Sequence, residues 1–300
     1  MTQSYDAIVI GGGHNGLTCA AYLAKAGRKV LVLERRYLVG GAAVTEEKFP
    51  GFKYTVCSYV VSLLRPEVIR ELELAKHGLQ VMPLDSYWVP KEDGDQLAMY
   101  ADPAALREEV RRHSKRDAEM IPKYNQMMYH IANAVKPILG YVPPNPASPG
   151  FRGARTLSEF GKHLQSLDKK TFHQLSKIMT MSADDFLAEW VETDVIRALM
   201  GINGIIGTKL GVKSPGTAYV LLHHYMGELD GAFTAWGAQR GGTGGVSDAI
   251  ASAAKSYGAE IRCNASVERV LVKNGRAVGV VLEGGEEIYA KTIASGADPY

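Results

Sequence analysis

The sequence predicts an α/β protein in which a domain built on a parallel β-sheet is interrupted by a second, mixed α+β domain. The opening residues carry the first observation. Within residues 6–34 an apolar run, a glycine turn, an amphipathic helical pattern and another apolar run follow one another, as in a strand–helix–strand unit of a parallel sheet. The second observation is that a glycine turn, a helix and strands return from residue 239, after a long helical middle.

The first three elements follow from local chemistry. Residues 6–10 are apolar and rich in β-branched side chains, which favours a buried strand. A helical pattern opens at Asn15 and ends at Gly27, because glycine accepts the positive φ that terminates a helix. Residues 29–33 predict a second strand, and Glu34 stands at its carboxyl end.

Between these strands, Gly11, Gly13 and Gly16 form the spacing G-x-G-x-x-G, and Glu34 follows the last glycine by 18 residues. Gly11 permits a tight turn, Gly13 has no Cβ to block a pyrophosphate, and Gly16 lets helix and strand pack closely. The helix N-terminus then faces the diphosphate, and Glu34 accepts a hydrogen bond from a ribose 2′-hydroxyl. Because both strands, the helix and the acid have the expected spacing, the pattern predicts a Rossmann-like dinucleotide site. The alternative, a glycine turn in an unrelated α/β domain, would not account for the position of the acid.

A second glycine pair follows the acid. Glu34, Arg35, Gly40, Gly41 and Thr45 fit the pattern E-R-x-x-x-x-G-G-x-x-x-T, which resembles the flavoproteins with two dinucleotide-binding motifs: amine oxidases, phytoene desaturases and carotenoid isomerases. The resemblance implies FAD, with this segment running along it. It places the Gly40–Gly41 backbone near the pyrophosphate and ribityl chain, while Arg35 either lies near the adenosine or a phosphate or is simply exposed.

Composition limits the other classes. Three hundred residues with 46% hydrophobic and 22% charged content suggest about two globular domains, and a net charge of +2 gives no argument for nucleic acid. The three cysteines lie far apart without a C-x-x-C, which speaks against a dithiol site or a zinc ribbon and suits the cytoplasm: Cys19, Cys57 and Cys263. The early first strand leaves no room for a signal peptide, and residues 198–208 are too short a stretch to cross a membrane.

The inserted domain, residues 61–234, combines strands and helices. Asp93 and Gly94 predict a hairpin turn, and Asp102 predicts the N-cap of a long helical region. Residues 140–153 are rich in proline and glycine and predict a loop, which would serve as a hinge or lid over a substrate entrance.

Charged runs in this domain are interpreted as solvated helix faces. Basic residues of the first run alternate with acids, so it is not a nucleic-acid surface: Arg107, Arg111, Arg112, Lys115 and Arg116. Acidic residues further on lack partners at metal-ligand spacing, and no metal site is expected: Asp184, Asp185 and Glu189.

Two adjacent histidines, His223 and His224, lie on an apolar helical stretch. Neighbours on a helix point about 100° apart, so the two side chains face different surroundings. Structural or surface histidines are the simpler interpretation. The alternative is that one of them handles a proton or orients a substrate.

The returning segment predicts a helix, a strand and a β-meander whose turn is Asn274–Gly275, the strongest hairpin signal available. This order again resembles the phytoene-desaturase and amine-oxidase superfamily. The resemblance covers the whole chain, and residues 219–227, 235–237, 241–250 and 279–285 carry a narrower one, to a group beside the phytoene desaturases.

Within this superfamily the segment equivalent to residues 266–268 passes the adenine, and the backbone of Val267 would read its edge. Residues 297–300 correspond to a crossover out of the FAD domain. We therefore expect the chain to be a fragment, without the closing glycine-rich segment that contacts the flavin ring.

The sequence thus predicts an FAD-dependent oxidoreductase of the phytoene-desaturase-like branch, with residues 1–60 and 235–300 forming the FAD domain. A hydrophobic substrate, a polyene or lipid reached from a membrane surface, gives a hydride to the flavin, and a separate acceptor reoxidises it. We expect a cytoplasmic protein with peripheral membrane contact, and no catalytic residue is assigned. An amine substrate is the alternative. Outside the enzyme class, Rab GDP-dissociation inhibitors keep a similar fold without FAD to bind a partner, and an inactive fragment is a further alternative.

Overall fold

The computed structural model describes residues 4–145, 147, 150–229, 232–233 and 235–298. The chain divides into two compact units. The sheet unit comprises Met1–Pro83 and Trp236–Tyr300, and the helical unit comprises Leu84–Ala235. The predicted α/β class is confirmed by the parallel sheet of the first unit.

The first segment of the sheet unit extends to Pro83, whereas the sequence led us to expect that the first segment of the FAD domain ends at residue 60. Val61 and Gly237 exchange two main-chain hydrogen bonds of 2.8 Å, and the strand Val81–Pro83 pairs with Gly237–Gln239. These long-range pairs hold residues 61–83 in the sheet unit, and sequence patterns do not report such pairs.

The sheet unit contains the elements that the sequence predicts around the glycine turn, and a hairpin and short helices between them. In chain order they are β1 (Ser4–Ile10), α1 (His14–Lys25), β2 (Val30–Leu33), β3 (Thr45–Phe49), β4 (Phe52–Thr55), α2 (Pro66–Glu71), a 3₁₀ helix (Leu74–His77), β5 (Val81–Pro83), β10 (Gly237–Gln239), α10 (Gly244–Ser256), β11 (Glu260–Arg262), β12 (Val267–Lys273), β13 (Arg276–Leu282) and β14 (Glu287–Ser295).

Six of these strands form one sheet in the order β11-β2-β1-β14-β13-β12. The first four are parallel to one another, and β12, β13 and β14 form an antiparallel meander. Asn274 and Gly275 both have positive φ at the predicted hairpin turn, as a two-residue turn between twisted strands requires. All four residues of β2 are buried, because β1 and β11 flank this strand and α1 packs against it.

The helical unit contains the elements between the two halves of the sheet unit. They are β6 (Ser86–Pro90), β7 (Gln96–Tyr100), α3 (Pro103–His113), α4 (Lys115–Val135), a 3₁₀ helix (Lys136–Gly140), α5 (Gly150–Ser166), α6 (Lys169–Thr180), α7 (Ala183–Ala188), α8 (Asp194–Gly201), a 3₁₀ helix (Ile202–Gly204), α9 (Thr217–His224), β8 (Glu228–Leu229) and β9 (Ala232–Phe233).

Its core gathers around α4, where Tyr124, Met128 and Ile131 are buried on one face. The predicted N-cap is confirmed, because the Asp102 side chain accepts a hydrogen bond of 3.1 Å from the Ala104 amide. The predicted loop over 140–153 is too long at its C-terminal end. Helix α5 begins at Gly150, since helix-forming residues follow the last proline. The predicted loop also covers residues 146, 148 and 149, which lie outside the described part of the chain.

Candidate functional site

The predicted dinucleotide site begins at the glycine turn between β1 and α1. Gly11 has φ +94°, a conformation that L side chains rarely adopt, and its amide donates to the Leu33 carbonyl at 2.8 Å. A Cβ on Gly16 would come closer than 3.0 Å to the Gly11 carbonyl oxygen. Both glycines are therefore required by the fold itself, as close packing of α1 on the turn predicts.

The N-terminus of α1 opens beside this turn. Gly13 is the N-cap residue and has no side chain to cap the helix, no side chain within the described ranges takes that place, and the first turn carries no acidic residue. Asn15 is exposed in that first turn. The first amides of a helix lack partners within it and carry a positive partial charge, so this terminus can bind an anionic group such as a diphosphate.

Glu34 lies under the turn and is nearly buried. Its Oε2 accepts a hydrogen bond of 2.7 Å from the Gly12 amide, and its Oε1 accepts one of 2.9 Å from the Arg36 amide. A Cβ on Gly12 would lie 3.0 Å from the Cβ of Glu34, so the middle glycine is also constrained. The carboxylate is held in one orientation, and each oxygen keeps a lone pair that can accept from a ribose hydroxyl.

The second glycine pair reaches the same place. Gly40 forms a parallel bridge with Gly13, and its amide donates to the Gly12 carbonyl at 2.8 Å. Gly41 has φ +61°, and a Cβ on it would lie 3.2 Å from the Cα of Gly13. The structure therefore brings the two glycine segments, which the sequence separates by more than 20 residues, into backbone contact beside Glu34.

Thr45 has a structural task that the sequence did not suggest. Its hydroxyl accepts a hydrogen bond of 3.0 Å from the Gly244 amide, and a Cβ on Gly244 would meet the Thr45 backbone. The Thr55 hydroxyl accepts from the Thr243 amide at 3.2 Å. These two threonines occupy the N-terminus of α10, and the run Gly-Gly-Thr-Gly-Gly before that helix was the available signal.

Arg35 and Val267 complete the predicted set. Arg35 is exposed and forms no ion pair with the described residues. Val267 is half-buried at the start of β12, paired with Leu282. Just before it, the Ala265 amide donates to the Glu34 carbonyl at 2.9 Å, so this segment crosses the carboxyl end of β2. The contacts of both residues with a nucleotide remain predictions.

Gly296 is a neighbour of the turn that sequence reasoning missed. Its amide donates to the Ile10 carbonyl at 2.8 Å, and a Cβ on Gly11 would lie 3.5 Å from its carbonyl carbon. Strand β14 runs parallel to β1, so both strands end at the same edge of the sheet, where ligands of such sheets bind. The Ser-Gly-Ala run after the last strand was the signal.

An open cleft of about 430 Å³ lies beside this set in the sheet unit, between the loop after Glu34, α10 and β11. None of the residues predicted to contact the cofactor lines it. Burial raises the pKa of the Asp248 carboxyl in this cleft. Its lining consists of Leu38, Val39, Asp248, Ala251, Ser252, Lys255, Ile261 and Cys263.

In the helical unit, the histidine rings of His223 and His224 stand edge to face with centroids 5.5 Å apart. Burial, and then the neighbouring His224, lower the pKa of His223. His224 Nδ1 lies 2.9 Å from the Val220 carbonyl oxygen. The proton-handling role of one of them remains a prediction.

In the described part of the chain, no group of three or more His, Cys, Asp or Glu side chains is placed to hold a metal ion. No helix within that part has the length and apolar character needed to cross a bilayer.

A glycine turn at the carboxyl edge of a parallel sheet, an uncapped helix N-terminus and a fixed acid define a dinucleotide-binding protein. Residues 16–300 match the family described as flavin containing amine oxidoreductase. The chain belongs to this family. The superfamily and the FAD cofactor that the sequence pattern implied are thereby confirmed.

Two relatives show how far the similarity extends. Pyridine nucleotide-disulfide oxidoreductase domain-containing protein 2 of Rattus norvegicus is 39% identical over 315 residues, covering 100% of this chain and 54% of the relative. A limonene dehydrogenase subunit of Castellaniella defragrans is 31% identical, covering 98% of this chain and 52% of the relative. The chain thus spans about half the length of these relatives.

Solved structures agree in fold. A putrescine oxidase is 17% identical with a TM-score of 0.59, over 98% of this chain and 58% of that one. A Rab GDI from Plasmodium falciparum is 12% identical with a TM-score of 0.58, over 100% of this chain and 66% of that one. At this identity the likeness concerns the fold alone.

The residues of the sheet unit fit FAD. A Cβ on Gly13 would have one neighbour within 4 Å, the Gly41 Cα at 3.9 Å, so the space in front of α1 is open. The α1 amides would hold the diphosphate, and Glu34 would accept from the adenosine ribose. FAD is a redox cofactor that accepts a hydride, which the protein residues by themselves do not.

Proposed function

We propose that this chain holds FAD at the α1 N-terminus and that the protein is an oxidoreductase acting on a hydrophobic substrate of the polyene or lipid class. Bound FAD would take a hydride from a substrate carbon, and a separate acceptor would reoxidise it. The similarity to the limonene dehydrogenase of Castellaniella defragrans supports an apolar substrate, because the name of that relative specifies a hydrocarbon.

The observation that carries the proposal concerns Gly13. Its φ of −69° and ψ of 165° are extended backbone that any residue adopts, and a Cβ would find open space. The fold therefore gives no reason for glycine at this position. A diphosphate lying against the backbone gives one, since a side chain here would fill its place.

The protein residues would act by binding and orientation. The α1 amides would hold the diphosphate, Glu34 would fix the ribose, and the Gly40–Gly41 backbone would pass beside the cofactor. A chain that only positions a redox cofactor needs no acid or base of its own for hydride transfer. We therefore assign none.

An amine substrate is the second candidate, which the family description and the fold shared with putrescine oxidase favour. The rival outside the enzyme class is a binding protein, for which the fold shared with a Rab GDI is the supporting observation. Flavin binding distinguishes the two enzyme candidates from the binding protein. The substrate that reduces the flavin distinguishes the two enzymes from each other.

The first experiment is a titration of the purified chain with FAD, followed by flavin absorbance and by quenching of flavin fluorescence. We expect saturable binding of one FAD. Gly13→Ala should weaken it by at least about tenfold, as one displaced diphosphate contact predicts. The matched control is Gly284→Ala, at a turn where a Cβ meets nothing within 4 Å.

FAD binding that Gly13→Ala leaves unchanged would contradict the site. A chain that takes up no FAD would contradict the enzyme proposal and leave two alternatives, the binding protein and an inactive fragment. For the flavin-loaded protein, anaerobic bleaching by a monoterpene or a polyene supports the apolar substrate. Bleaching by putrescine and not by the hydrocarbons would favour the amine oxidase instead.

A further inference from the structure

Glu46 is a buried acid that the proposed reaction does not use. It lies in β3 with 8% of its side chain exposed. Its Oε1 accepts a hydrogen bond of 2.7 Å from the Arg36 guanidinium. Its Oε2 accepts bonds of 3.2 Å from the Tyr37 hydroxyl and from the Lys48 ammonium. Two of these three donors belong to the loop that follows Glu34.

Both the backbone and the guanidinium of Arg36 form hydrogen bonds. Its amide donates to Glu34 Oε1 at 2.9 Å, and its carbonyl accepts from the Asn264 amide at 2.9 Å. Its backbone thus touches the acid that faces the ribose, while its guanidinium turns to Glu46. The side chain is 35% exposed, so once released it would be free to move.

The charge of this pair is fixed. The Arg36 hydrogen bond, followed by that of Lys48, lowers the pKa of Glu46 to about 2. The carboxylate is therefore ionised at neutral pH. In dinucleotide sites, an arginine near the acid at the end of the second strand is what accommodates a 2′-phosphate, and Arg36 is in that position by sequence.

We propose that Glu46 is a specificity-determining residue: by holding the Arg36 guanidinium it keeps the ribose site selective for a free 2′-hydroxyl over a 2′-phosphate. This inference rests on the proposed nucleotide site. Glu34 repels a 2′-phosphate, and Glu46 neutralises Arg36, a cation that would otherwise help to offset that repulsion. The neighbouring Arg35 is exposed and is present in every variant compared below, so it does not account for a difference between them. The same hydrogen bonds also hold the loop after Glu34 in place. That structural effect would change the affinity for a ribose with a 2′-hydroxyl and for one with a 2′-phosphate equally.

The test measures how well ADP and 2′-phospho-ADP, which differ only in that phosphate, displace FAD from the chain. The unsubstituted chain should prefer ADP. In Glu46→Gln the preference should fall by about tenfold, as a newly available charge-assisted hydrogen bond predicts. Adding Arg36→Gln to that variant should restore the preference, although both ligands bind more weakly. The matched control is Glu47→Gln, the next residue, whose exposed side chain accepts only from the Gly51 amide of its own hairpin among the residues that the structure describes.

Each outcome decides between the proposals. A Glu46→Gln variant that loses affinity for both ligands equally would contradict the specificity role and leave Glu46 as a structural residue. A preference that falls but does not return in the double variant would contradict the part assigned to Arg36. A chain that binds neither ligand nor FAD would overturn both this inference and the proposed function. ADP binding with an unchanged ratio would overturn only this one.

Discussion

Gly16→Ala tests whether the glycine turn and α1 are packed as closely as the structure indicates. The added Cβ would come closer than 3.0 Å to the Gly11 carbonyl oxygen and within 3.3 Å of Val9 Cγ1, where ordinary contact begins near 3.4 Å. The oxygen cannot yield easily, because it belongs to a backbone whose amide is tied to Leu33. Either α1 moves away from the sheet or the turn opens.

The expected cost lies at the upper end of the range for overpacking, about 3 kcal/mol. At about 2–4 °C per kcal/mol for a domain of this size, the midpoint of thermal unfolding should fall by roughly 6–12 °C. Circular dichroism melts of the flavin-free chain measure it, and Gly284→Ala serves as the control because its Cβ would meet nothing within 4 Å. The reasoning is refuted if Gly16→Ala melts within about 2 °C of the unsubstituted chain.

Three further predictions concern single contacts. Asp117→Asn should destabilise the helical unit by about 1–3 kcal/mol. The buried carboxylate accepts hydrogen bonds of 3.0 Å from the Glu192 and Thr193 amides, and an asparagine would place its own NH₂ donor against one of these amides. In the control, Asp194→Asn, the side chain is exposed and the melting midpoint should stay unchanged. Thr45→Val should lower the midpoint of the sheet unit, because the Gly244 amide loses its acceptor, and Thr45→Ser should restore it. Burial lowers the pKa of His223 below its ordinary value of 6.5. As the pH falls through 6.5 towards the pKa of the folded state, the unfolded chain takes up a proton first, so the free energy of unfolding should decrease. Thermal melts across this pH range should show a smaller decrease in His223→Gln than in the control His14→Gln.

The elements near the glycine turn could be predicted because local chemistry determines them. The run from β1 through Glu34, the hairpin at Asn274–Gly275 and the N-cap at Asp102 each depend on residues close in sequence. The resemblance placed both glycine segments near the same cofactor, but the backbone contact between Gly13 and Gly40 is seen only in the structure.

What the sequence could not give is the partner of each long-range hydrogen bond. Nothing in the sequence distinguishes Glu46 from its neighbour Glu47, and only the folded loop brings Arg36 and Tyr37 to it. Thr45 was predicted to lie along the cofactor, and nothing in the sequence showed that its hydroxyl also accepts from the Gly244 amide, almost 200 residues later. The pairing of residues 61–83 with the second half of the sheet unit could not be predicted for the same reason, since the bonds between Val61 and Gly237 depend on tertiary structure.

The glycines of the site can be grouped by the physical reason that requires glycine at each position. This grouping helps to decide between an enzyme and a binding protein. Gly16 is demanded by packing, and Gly11 and Gly41 by positive φ, so a protein that had lost its cofactor would still need them. Gly13 is demanded by neither. A binding protein that keeps the fold without FAD would tolerate alanine at this position, because the backbone is extended and the Cβ has room. We therefore propose that a ligand, and not the fold, accounts for glycine at this position, which makes the affinity of Gly13→Ala for FAD more informative than that of any other glycine variant in the turn.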